Sequence, residues 1–251
     1  MYDFSAAARR TSTGPWQTGA KERRIIQMDK KRIIFGALLA GLVLASPIAA
    51  PAQHIAKPPD EEIWQGPRLY VPVDQFPAKG LILDIGGGGW GIIGQLKGQQ
   101  VIAIDISEKE LLESPPGPLV KIMMDARQLQ FLENTFPTAT VLFTFMFMAP
   151  ADHEQVFREL RRVLAPGGRL LIWDAVLPRL EDPRKRIALI PVTFKLPGKD
   201  IDASYGSYLV PGGQGLAHFE ELAFKTGFTV VSRRSAQGWF FLELSKPMTT
   251  K

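Results

Sequence analysis

An aspartate, Asp84, is followed by glycine at five of the six positions 86–91, and a second aspartate, Asp105, stands nineteen residues after Gly86. Bare backbone of this kind lets N–H groups approach a ligand with no Cβ in the way. Gly86, Gly88 and Gly91 satisfy the spacing G-x-G-x-x-G, and a carboxylate about twenty residues on can accept both hydroxyls of a ribose. The phosphate loop of simple NTPases is excluded, because Gln95 and Leu96 stand where lysine and Ser or Thr are required. Asp84, two positions before the first glycine, would repel a pyrophosphate resting on the loop and suits a nucleoside ligand that carries an ammonium group.

Such a loop needs a buried strand before it and a helix after it. The apolar run before Asp84 is continuous, as in a parallel strand buried on both faces. From Gly80 onward apolar runs alternate with helical stretches, the pattern of an α/β Rossmann-like, doubly wound, seven-stranded sheet. Strands are expected near 81–85, 101–105, 119–123, 140–146, 168–174, 228–233 and 237–244, with the last two an antiparallel hairpin at the sheet edge. Helices are expected near 90–97, 107–113, 152–164 and 215–226, the third capped by Asp152 and stopped by Pro166-Gly167-Gly168.

The 251 residues hold no cysteine, which removes disulfides, thiolate metal sites and cysteine nucleophiles, and His54, His153 and His218 are too dispersed for a metal cluster, so no metal is expected. The net charge is +5, but residues 1–32 hold eight Lys or Arg against three acids, and beyond Arg32 the two signs balance at 22 each. A nucleic-acid binder keeps its basic stripe on the folded body, so no nucleic-acid partner is expected.

Residues 1–32 read as a basic leader, part of it an upstream start if translation begins at Met28 instead of Met1. Residues 33–52 read as a hydrophobic signal peptide, or as an anchor making membrane contact through residues 33–50. Either one exports the body or ties it to a membrane, because the positive charges precede the stretch and Asp60, Glu61 and Glu62 follow it; a cytoplasmic body is the alternative. Residues 53–79, with five prolines after Pro51 and Trp64, Tyr70 and Phe76 among them, read as an extended linker. The body is then 80–247, with an insert at 176–214.

Four segments in order, "LILDIGGGGWG", "VIAIDIS", "MMDARQLQF" and "LRRVLAPGGRLLIWD", resemble the motif series of class I S-adenosylmethionine-dependent methyltransferases, and more narrowly a type 11-like branch with a four-glycine loop. The resemblance spans about residues 80–246. It implies S-adenosyl-L-methionine as cofactor and a small-molecule methyl acceptor. It places Asp84, Gly86 and Gly88 at the methionine end, Asp105 on the ribose hydroxyls, Ile106 beside the adenine, and Asp125 on the adenine amino group with the Ala126 backbone nearby. Trp90 stands where the common loop has its third glycine, which leaves contacts beyond Gly88 open. An N-cap is the competing role for Asp125.

No catalytic base is identified. Thr144, Phe145, Trp173, Asp174, Tyr205 and Tyr208 fall near the expected acceptor mouth, chiefly as support, and His153 reads as a solvated or capping residue. Two other readings stay open at this level: a non-catalytic exported or membrane-anchored binding module of the same fold, and an NAD-dependent oxidoreductase.

Overall fold

The computed structural model describes residues 59–248 and the two-residue strand β1 (Ile34–Phe35). The basic leader, and the hydrophobic leader apart from that strand, lie outside the described residues. Among the described residues no helix is long and apolar enough to cross a membrane.

The elements follow in chain order: β2 (Ile63–Gln65), β3 (Leu69–Pro72), β4 (Ile82–Ile85), α1 (Ile92–Lys97), β5 (Val101–Asp105), α2 (Glu108–Glu113), β6 (Val120–Met123), β7 (Phe136–Leu142), α3 (Pro150–Val163), β8 (Leu164–Ala175), β9 (Ile187–Leu196), β10 (Lys199–Tyr208), α4 (Leu216–Lys225), β11 (Thr229–Ala236) and β12 (Trp239–Ser245). Seven of the strands form one sheet in the order β11-β12-β8-β7-β4-β5-β6. The pairs from β8 to β6 are parallel, whereas β12 runs antiparallel to both β8 and β11. This is the Rossmann-like, mostly parallel sheet with an antiparallel C-terminal hairpin that the apolar pattern predicts. From β4 the chain steps outward to β5 and β6, then returns to β7 on the other side. The β4–β7 boundary is therefore the switch point, where the carboxyl ends of the strands leave a crevice.

All four residues of β4 are buried because both faces of the sheet are covered. On one face Val156, Phe157 and Leu160 of α3 and Phe219 of α4 close over Leu83 and Ile85. On the other, Ile92 and Ile93 of α1 share a core with Ile82, Val101 and a second sheet that contributes Val192 and Phe194.

That second sheet is built from the 176–214 insert and the proline-rich stretch before β4. β9 and β10 form a ten-residue antiparallel hairpin closed by Pro197-Gly198. β2 and β3 lie end to end along the other edge of β9, both parallel to it, pairing at residues 187–189 and 192–195. Pro191 falls in the gap between those two pairings, where its lack of a backbone N–H costs no ladder bond on that edge. β1 pairs with β10 at Tyr205 and Gly206.

Two local expectations are corrected. The fourth strand ends at Leu142 and not at residue 146, because Phe143 turns to φ 51° and residues Phe145–Phe147 wind into a 3-10 turn. An apolar run buried on every side shows no period that separates strand from turn. The cap of α3 is Ala149, with Pro150 at the first helical position, and the Asp152 carboxylate instead accepts from Arg127 Nη1 at 3.1 Å.

Candidate functional site

A cavity of about 350 Å³ opens at the switch point, lined by the glycine loop, the ends of β5, β6 and β7, and Tyr205 of the second sheet. All the candidate cofactor residues, Asp84, Gly86, Gly88, Asp105, Ile106, Asp125 and Ala126, lie on its wall.

Asp84 sits at the base. Register pairs it with Thr140 on β7, whose Oγ1 donates to Asp84 Oδ1 at 2.7 Å. Its carboxyl is 2% exposed, and burial, reinforced by Asp105, pushes its pKa up to about 7 despite the Thr140 hydrogen bond.

Above Asp84 the glycines are packed too tightly for any side chain. A Cβ on Gly86 would collide with Thr144, one on Gly87 would sit 2.6 Å from Asp84 Oδ2, and one on Gly88 would sit 2.7 Å from Glu110 Cβ and 2.8 Å from Asp105 Oδ2. Gly91 caps the six-residue helix α1 with φ 52°, and Gln95 Nε2 donates to the Trp90 carbonyl at 2.7 Å, so the loop closes around the residue that replaces the third glycine. The indole N–H of Trp90 is buried and has no partner among the described residues.

Asp105 ends β5 under the loop. Its Oδ2 accepts from Gly88 N at 3.3 Å and its Oδ1 from Ser107 N at 2.9 Å. Burial raises its pKa, opposed by these backbone N–H groups. Ser107, not Asp105, caps α2, accepting from Glu110 N. Glu110 is raised in turn by burial and by Asp105. Ile106 is largely exposed at the rim.

At the far end Asp125 is held by Arg127. Arg127 Nη2 donates to Asp125 Oδ2 at 2.7 Å, Nε is 3.1 Å from both carboxylate oxygens, and Nη1 reaches Asp152 on α3. These contacts draw the Asp125 pKa down. Asp125 Oδ1 also accepts from Arg127 N, so the aspartate closes a turn and starts no helix.

The remaining wall is apolar: Leu142, Phe143, Phe147 and Met148. Phe143 stacks on Tyr205 with centroids 5.4 Å apart. Asp174, fully buried behind this wall, accepts from Phe145 N at 2.8 Å and Ala175 N at 2.7 Å, and burial pushes its pKa up to about 7. It therefore braces the turn that follows β7. Trp173, on the opposite face of β8, packs on Phe241 and Phe76, away from the cavity. Tyr208 is exposed and outside the wall.

His153 is neither solvated nor a cap. It is fully buried, with Nε2 3.2 Å from the Phe145 carbonyl and Nδ1 2.9 Å from His218 Nε2. A carbonyl only accepts, so His153 Nε2–H donates to it and Nδ1 accepts from His218. Thr140, Glu110, Arg127 and Phe143 escaped the sequence reading. Only Glu110 had a local signal, one helical turn beyond Ser107; the others are brought in by register and packing.

Residues 83–172 match the methyltransferase domain family. Over 92 residues the chain is 32% identical to the ubiquinone/menaquinone biosynthesis C-methyltransferase UbiE of Klebsiella pneumoniae, covering 35% of this chain and 36% of that one. Over 140 residues it is 29% identical to the protein of the same name from Cellvibrio japonicus, covering 49% and 55%. The chain thus spans about half or less of the curated relatives it matches. Similar solved structures include an S-adenosylmethionine-dependent methyltransferase of Methanosarcina mazei, with TM-score 0.48, 17% identity and coverage of 69% of this chain and 95% of that one. Another is a phosphoethanolamine N-methyltransferase of Haemonchus contortus, with TM-score 0.49, 18% identity and coverage of 69% and 50%. The matched segment, running from the residue before Asp84 to the end of the central parallel strands, is thus similar to a methyltransferase domain.

Proposed function

We propose that the chain binds S-adenosylmethionine in the glycine-loop cavity and transfers its methyl group to a small molecule with an apolar body. The observation that carries this reading is a bare glycine turn seated directly on carboxylates: five acids, Asp84, Asp105, Glu110, Asp125 and Asp152, share the wall with only two cations, Lys109 and Arg127. Such a wall suits a nucleoside bearing positive charge and repels a pyrophosphate. Asp84 is the partner for an ammonium, Asp105 for ribose hydroxyls, Asp125 for an adenine amino group, and Ile106 and Ala126 for the faces of the base.

S-adenosylmethionine supplies a methyl carbon activated by its sulfonium leaving group. What the protein must add is alignment and exclusion of water. Leu142, Phe143, Phe147 and Met148 supply the dry wall, and Asp174 holds the turn that carries the last three. The matched relatives are named for C-methylation in quinone biosynthesis, which favours an apolar acceptor on this wall.

Calorimetric titration of S-adenosylmethionine and S-adenosylhomocysteine into the full chain, with Asp105→Ala as control, tests the reading. Binding that the substitution abolishes supports it, and absence of binding to folded protein overturns it.

A further inference from the structure

Tyr205 belongs to β10 in the second sheet, yet it forms part of the wall of the glycine-loop cavity. It is 8% exposed, and three aromatic rings fix it: Phe143 stacked at 5.4 Å, Phe147 at 6.0 Å and Phe194 at 6.2 Å. Its hydroxyl takes part in no hydrogen bond with a described residue. The ring is buried, but the hydroxyl is not among the polar atoms sealed from solvent without a partner, so it opens onto the cavity with its hydrogen bond left for a ligand or water.

Several other side-chain donors on the wall are spent or misplaced. Thr144 Oγ1 is within 3.1 Å of the Ile85 and Leu142 carbonyls. Arg127 is engaged by Asp125 and Asp152. Lys109 stands exposed on α2 beside Glu110. The Trp90 N–H is sealed from solvent. Burial, together with the charges of Asp174 and Glu110, holds the Tyr205 phenol protonated far above its ordinary range, so it serves as a donor and not as a base.

A neutral phenol donor facing a wall with five carboxylates is a place for an anionic oxygen that those carboxylates would repel. We propose that the Tyr205 hydroxyl donates a hydrogen bond to the carboxylate of the cofactor's methionine moiety, so that the second sheet completes the cofactor site. This rests on the reading of the cavity as an S-adenosylmethionine site. The two charged ends of the amino-acid moiety are then divided between Asp84 on β4 for the ammonium and Tyr205 on β10 for the carboxylate.

The test compares two ligands on the full chain and on Tyr205→Phe, which keeps the ring stack and removes only the O–H. S-adenosylhomocysteine carries the carboxylate; 5′-methylthioadenosine lacks the whole amino-acid part. By calorimetry the substitution should weaken S-adenosylhomocysteine about ten- to a hundredfold, the effect of one hydrogen bond to a charged group. The affinity for 5′-methylthioadenosine should stay unchanged, and thermal melts should confirm equal folding. Unchanged S-adenosylhomocysteine affinity, or equal loss for both ligands, overturns the assignment. If the unaltered chain binds neither ligand, the cofactor reading itself falls and the assignment with it.

Discussion

Thr140 donates to Asp84 across the β4–β7 pair, a 2.7 Å hydrogen bond between residues 56 positions apart in the chain. It is the one side-chain hydrogen bond to a carboxyl that burial drives toward its neutral form. Below a pH of about 7 Asp84 holds a proton that it must release to face an ammonium. Affinity for S-adenosylmethionine should therefore rise with pH, by up to about tenfold per unit, and level off above about 7. Calorimetry in two buffers of different ionisation enthalpy should show proton release at pH 6 and little at pH 8. Thr140→Val should move the profile to higher pH, and a flat profile would remove Asp84 from ligand binding.

Gly88 and Gly198 separate packing from backbone strain. Gly88→Ala places a methyl against Glu110 and Asp105, so S-adenosylhomocysteine affinity should fall at least tenfold. Gly198→Ala meets nothing within 4 Å but must hold φ 79°, which costs about 1–2 kcal/mol of stability and should leave binding unchanged. Denaturation and titration of both variants check the contrast.

Asp105 and Asp125 should not be equal. Asp105 is braced by the Gly88 and Ser107 backbone, whereas both oxygens of Asp125 are already engaged by Arg127. Asp105→Ala should weaken S-adenosylhomocysteine about a hundredfold and Asp125→Ala about tenfold or less, on the scale of charge-assisted hydrogen bonds. Equal losses would show that Arg127 leaves Asp125 free to bind.

The His153–His218 pair carries an acid-sensitive part of the stability. Burial and the neighbouring imidazole drop the His153 pKa to about 4, so its contribution to stability is complete above about pH 6.5 and is lost as pH falls toward 4. The slope amounts to as much as about 3 kcal/mol. Asp84 and Asp174 act the other way: pushed up to about 7, they favour the folded state most below about pH 4 and lose that contribution as pH rises to 7. The stability difference between the unaltered chain and His153→Phe, read from denaturant melts across pH 4–8, should shrink as pH falls from about 6.5 toward 4, and a difference independent of pH would take the histidine out of the pH dependence.

The glycine loop, the aspartates at 84, 105 and 125, and the order of strands and helices in the main sheet were legible from the chain. A buried strand, a glycine turn and an N-cap each leave a mark within a few residues, and β5 was read to its exact ends. The end of the fourth strand differs from the expectation because residues 141–148 are apolar except for Thr144, so composition could not say where Phe143 leaves the sheet.

The sequence by itself thus determined an α/β sheet with a glycine loop and the row of carboxylates beneath that loop, since turn chemistry and burial pattern are local properties. Only the tertiary structure decided that Thr140 bonds Asp84, that Arg127 occupies Asp125, that His153 meets His218, and that Tyr205 enters the cavity from a second sheet. Most of those partners lie many tens of residues apart, and Arg127, though only two residues from Asp125, points where its contact with Asp152 of α3 directs it. Strand register and the closing of one sheet on another create such contacts, and neither leaves a local mark in the chain.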